Sequence, residues 1–239
     1  MNRPGPGRYP AATRLLDVAR VQALGSPSVF LRTLAAAVLL VPAALVVAAV
    51  TDLPGTARAL LLSALAGLAQ LAFHKGTQEL PFVVALGVTR RNAYAGTLLF
   101  LAVLATYLGL VLLALAQVER ATGGWGLDVQ VLVVGSLAGH GTVVHLLGYV
   151  APSLAALAAG LLAAAVSLRW HRVGLSVLLG TGVALSAGLV AVLVALDDRG
   201  ALGAFLAGTS TPTLLVAYPA LVTLVLAVGG RLVVHRAAI

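Results

Sequence analysis

Six apolar runs fix what this chain can fold into. They lie at roughly 29–50, 56–73, 93–116, 146–168, 173–196 and 213–230, each near the ~20 residues that a helix needs to cross the hydrocarbon core of a bilayer. Outside their ends, none contains Asp, Glu, Lys or Arg. Backbone N–H and C=O groups in hydrocarbon must be satisfied internally, and for runs of this length that means helices. The charge inventory agrees, with 9% of the 239 residues charged and 61% hydrophobic, against about 25% charged in an ordinary soluble domain. Fifteen Lys/Arg and seven Asp/Glu cannot coat a soluble body of this size. The expected fold is all-α and polytopic. A cytosolic segment, 1–28, precedes a single six-span transmembrane domain, 29–239.

The loops orient the spans. With six spans and both termini inside, the cytosolic side holds Arg3, Arg8, Arg14, Arg20, Arg32, Lys75, Arg90, Arg91, Arg169, Arg172, Arg231 and Arg236, and only Arg58, Arg120 and Arg199 fall outside. Twelve basic residues against three is a strong positive-inside bias. The stretch from Asp128 to Leu168 is long enough for two spans. A seventh span would send Arg169, Arg172, Arg231 and Arg236 outward and spoil the asymmetry, so we read it as one span plus a surface or re-entrant piece.

Before the first span, Ala12–Leu24 reads as an amphipathic helix. Thr13, Arg14, Asp17 and Arg20 share one arc, while Leu15, Val18 and Ala19 occupy the other. Gly25 stops it, and Ser26-Pro27 starts the first span as N-cap and first-turn proline. A helix lying on the membrane surface fits this pattern, as does one packed on its own cytosolic loops. The polar, Pro/Arg-rich start does not read as a cleavable signal peptide, and none is expected. With no cysteine in the chain, disulfide scaffolds, thiolate metal sites and cysteine nucleophiles are excluded. The formal +8 charge is scattered between apolar runs rather than striped, which argues against nucleic acid.

No Gly-xxxx-Gly-Lys-Ser/Thr occurs, so the chain carries no phosphate-binding loop of its own. Spans empty of ionisable residues disfavour a proton-driven transporter. His140 and His145 are five apart and do not share a helix face; no metal site is expected. Gln70, Tyr107, Tyr149 and Tyr218 are polar handles in or near spans, lining a substrate path or hydrogen-bonding between helices. Ala156-xxx-Gly160-xxx-Ala164 and Gly182-xxx-Ser186 have the spacing that lets helix backbones approach closely in lipid. The loop of about 74–92 stands out. Pro81 can open a short helix and Gly87 can close it in a left-handed conformation, with Thr89 capping the third span. That helix would present Leu80, Phe82, Val83 and Leu86 on the cytosolic side, flanked by Glu79, Arg90 and Arg91. Such a helix docks into a groove on another protein, or rests on lipid with its arginines at headgroups.

The segments Phe82…Gly87-Val-Thr-Arg-Arg91…Gly96-Thr97, Glu119-Arg-Ala-Thr-Gly-Gly-Trp-Gly126 and Arg169-Trp170 resemble small ABC-2-type permeases of bacterial ABC exporters. The likeness covers nearly the whole chain. It implies a permease subunit in the cell membrane that pairs with a second six-span subunit, identical or homologous, and with two separate ATPase chains that bind ATP and Mg. It also implies that the loop after the second span is a coupling helix seated on the ATPase, carried by Glu79, Pro81, Phe82, Gly87, Arg90 and Arg91. Trp125, in an outer loop, suits the aromatic belt. The chain departs from larger relatives in having only short outer loops. So apolar an interior points to a hydrophobic or amphipathic cargo. Two other classes stay open: a secondary transporter or channel, and a non-transporting membrane assembly partner.

Overall fold

The computed structural model describes residues 17–20, 22, 27–50, 56–125, 132, 140–195, 209–210 and 212–235. Every regular element among them is helical. They are α1 (Pro27–Val50), α2 (Thr56–Ala85), α3 (Arg90–Ala121), α4 (Thr142–Ala195) and α5 (Tyr218–His235), with a π-helical turn, Thr213–Ala217, leading into α5. Helical residues 17–20 and 22 precede α1. Arg90–Ala121, Thr142–Trp170 and Thr213–Val234 are each long and apolar enough to cross a bilayer, and Ser28–Leu39 is a shorter apolar helix. The molecule is thus an all-helical membrane protein among its described residues.

Lipid tails are as apolar as leucine, so close packing rather than the hydrophobic effect must join helices in a bilayer. The Ala156/Gly160/Ala164 stripe supplies that packing. A Cβ on Gly160 would run into the Ala69 carbonyl of α2, and one on Gly76 would lie 2.5 Å from the Ala164 Cβ. The small faces of α2 and α4 therefore meet backbone to backbone. The side chains of Gly182-xxx-Ser186 lie outside the described residues. Around the seam, Leu101, Leu104 and Ala105 of α3 and Leu157 and Leu161 of α4 are fully buried. Tyr94 of α3 is keyed to α5, its hydroxyl donating to the Ala227 carbonyl at 3.2 Å and filling the space over Gly230.

The two expected spans 146–168 and 173–196 share one helical element, yet that element is not straight. Residues eight apart in a straight α-helix are about 12 Å apart along the axis. A Cβ on Gly174 would nevertheless lie 3.2 Å from Val166 Cγ1 and 3.3 Å from the Val166 carbonyl oxygen. The axis therefore folds sharply between them, where Trp170 is exposed and the Arg169 guanidinium sits 4.2 Å from its ring centroid. Contacts also fix the run of the helices. Ala69 and Gly76 meet Gly160 and Ala164 in the same order, so α2 and α4 are parallel, while Gly109 meets Val150 and Arg120 meets His145, so α3 is antiparallel to both. Gln22, the α2–α3 turn and the C-terminal half of α5 consequently gather at one end of the bundle.

Candidate functional site

That end is organised by the α2–α3 turn. The expected separate helix opening at Pro81 does not form: α2 continues through Pro81 to Ala85. Proline inside a helix forfeits the bond its N–H would make to the carbonyl four residues back. Here the preceding turn is braced by Thr77, whose hydroxyl bonds the Phe73 and His74 carbonyls, each at 3.0 Å. Gly87 does close the helix as expected, at φ +88°. Its N–H reaches the Val84 carbonyl at 2.9 Å and the Val88 N–H reaches that of Val83 at 3.4 Å, the paired bonds of a Schellman motif. Thr89 then occupies the N-cap position of α3 with extended backbone, but its side chain makes no capping bond.

The resulting elbow sorts its apolar residues by face. Leu80 and Val83, expected to be presented on the cytosolic side with Phe82 and Leu86, are instead buried at 1% and 5% exposure, whereas Phe82 and Leu86 stand out at 60% and 65%. The reason is helical periodicity: in the unbroken α2 the inward row continues three apart through Leu80 and Val83, and Phe82 and Leu86, four apart, form the opposite row. Pro81 and Arg90 are half-buried and Arg91 is exposed. Directly behind, the Lys75 ammonium lies 2.6 Å from Glu79 Oε1 and 4.5 Å from the Phe100 ring centroid. Lys75 is 7% exposed, and the second Glu79 oxygen is buried too. Gln22, 4% exposed, donates its amide to Thr97 Oγ1 at 2.9 Å, pinning the N-terminal helical residues to α3. Asp17 and Arg20 point to solvent and Val18 is buried, as the amphipathic arc requires, with Val18 joining the core rather than facing lipid.

The four polar handles go to different places. Gln70 and Tyr218 are exposed. Tyr107 meets Phe30 edge-on at 5.4 Å between centroids. Tyr149 donates its hydroxyl to the Leu132 carbonyl at 2.8 Å. His140 is exposed, while His145 is buried and its Nε2 lies 2.7 Å from an Arg120 nitrogen. Among the described residues no three His, Asp or Glu side chains gather as metal ligands would. Two buried acids or bases escaped the sequence reading, Lys75 and Glu119, the latter 1% exposed. Their signal was the core period itself: Leu68, Ala72, Lys75 and Leu101, Leu104, Leu108, Ala116, Glu119 recur at helical spacing, so each charge sits on an inward position.

At the elbow the structure thus brings together an exposed apolar pair, Phe82 and Leu86, the exposed Arg91 and the Lys75–Glu79 ion pair behind them. No known family model matches the chain, and neither does any curated protein or solved structure.

Proposed function

We propose that the chain is the membrane subunit of an ATP-driven exporter of ABC-2 type, with six spans and both termini on the cytoplasmic side of a bacterial cell membrane. One observation carries this reading: the Phe82 and Leu86 side chains stand exposed on a backbone-locked elbow, beside the exposed Arg91. A rigid apolar pair flanked by cation is suited to a groove on a soluble partner. The gathering of Gln22, the elbow and the end of α5 at one pole supports placing both termini together, on the side that the arginines mark as cytoplasmic. Separate ATPase subunits, holding ATP and Mg, would press on the segment Glu79–Arg91 and tilt α2 and α3. A second permease subunit, the same or homologous, completes the pathway. The cargo is hydrophobic or amphipathic.

The test is association. The chain is co-expressed with a candidate ABC ATPase and captured, comparing wild type with the combined Phe82→Ala, Arg90→Glu and Arg91→Glu variant. We expect at least a tenfold loss of co-captured ATPase; undiminished association sinks the docking role of the elbow. A reporter fused after Gly124 tests topology, and a cytosolic signal there overturns the six-span arrangement. The Lys75–Glu79 pair, with its cation buried and its carboxylate half-buried, favours a second reading, an ion-coupled transporter, because ionisable groups inside a helical membrane bundle commonly serve transport. Transport that persists in ATP-free vesicles under an imposed ion gradient would select it.

A further inference from the structure

At the pole opposite the elbow, side chains from two helices hold a single peptide. Glu119, on the last turn of α3, accepts the Leu132 N–H on Oε2 at 2.8 Å. Tyr149, on α4, donates its hydroxyl to the Leu132 carbonyl at 2.8 Å. The Leu132 side chain is itself 1% exposed. Alongside, Arg120 reaches His145 Nε2 at 2.7 Å, and the other ring nitrogen faces the Gly141 carbonyl at 3.3 Å, tying the two helix ends to each other. A buried peptide needs partners for both its N–H and its C=O. Here both come from side chains rather than from a helix or strand, and one is a carboxylate, the stronger kind of acceptor. A contact of this construction can open without unwinding either helix, which is how discrete switching elements work.

We propose that Glu119 and Tyr149 form a latch that seats Leu132 as a stopper between the ends of α3 and α4, and that this pole of the bundle opens by releasing Leu132. In the exporter reading the stopper closes the outer mouth; that assignment of side rests on the proposed function, while the latch belongs to the chain alone. The chain has no cysteine, so one introduced thiol reports local opening. Ala116, 1% exposed and one turn inside Glu119, is changed to Cys in the full-length purified chain, and its rate of reaction with a polyethylene-glycol maleimide is measured. Ala164→Cys, at a fully buried position of the α2–α4 seam, serves as the control.

Adding Tyr149→Phe or Glu119→Ala is expected to speed labelling at position 116 about tenfold, the scale set by losing one hydrogen bond to a buried group. Glu119→Gln keeps an acceptor oxygen and is expected to label near the parent rate. Position 164 is expected not to change. Unaltered labelling at 116 in both latch variants overturns the proposal, and so does equal acceleration at 116 and 164, which would mean general loosening. No ATPase is present in this assay, so its failure and the failure of the association experiment are separate events.

Discussion

The two poles of the bundle turn the chain by different means. At the elbow, four residues, 86–89, suffice, with one left-handed glycine and backbone groups bonding each other. At the far pole, Gly123, Gly124 and Trp125 take φ values of +63°, +77° and +59° in succession, Leu132 is held by Glu119 and Tyr149, and Arg120 meets His145. The lesson is a division of labour. A turn closed by backbone alone frees its outward side chains, Phe82 and Leu86, to meet something else. A turn closed by side chains commits them, and its state then depends on whether those side chains keep their partners.

Changes at the shared stem should break both poles together. Gly160→Val places a branched side chain where the Ala69 backbone already sits, and we expect a loss above ~4 kcal/mol, seen as failure to recover folded protein from detergent extracts. Near-normal yield and unfolding temperature would mean that α2 and α4 are not joined at this seam.

Smaller effects separate the turns themselves. Gly87→Val forces a branched residue into left-handed backbone and should cost about 2 kcal/mol, with no change in maleimide labelling at position 116. At the far pole the order of preference inverts: Trp125→Gly should be more stable than Trp125→Ala by about 1 kcal/mol, because the backbone there asks for a left-handed residue. Equal unfolding temperatures for those two variants would deny the left-handed turn at 123–125. Behind the elbow, Lys75→Met leaves the half-buried Glu79 carboxylate without its cation, a cost of about 1 kcal/mol. Adding Glu79→Gln should restore most of it, and thermal unfolding of the single and double variants in detergent checks the coupling.

How much of this was legible in the sequence follows from which forces act over short range. The apolar runs read as helices because a bilayer leaves them no alternative. The Ala156/Gly160/Ala164 stripe read as a close contact, and it is one, because small residues four apart share a face. Gly87 was legible for the same local reason. Pro81 misled because proline favours a first turn, whereas here α2 runs on through it to Ala85, with Leu80 and Val83 packed in the core on either side. Lys75 and Glu119 misled because a charge near the end of an apolar run looks like a loop charge; in the fold Lys75 meets both Glu79, one turn on, and the distant Phe100 ring, and Glu119 meets the distant Leu132 N–H. The fold between Val166 and Gly174 read as a break between spans, since Arg169 and Arg172 interrupt the apolar pattern there. The latch was invisible, since it depends on one backbone peptide reached from two helices.

The seam between α2 and α4 has a mechanical meaning. Among the described residues it includes two close approaches, Gly160 to Ala69 and Ala164 to Gly76, one further along both helices than the other. Two helices joined this closely along their length move as one body more readily than they slide. In the exporter reading, a push at the elbow would therefore reach α4 through α2 itself.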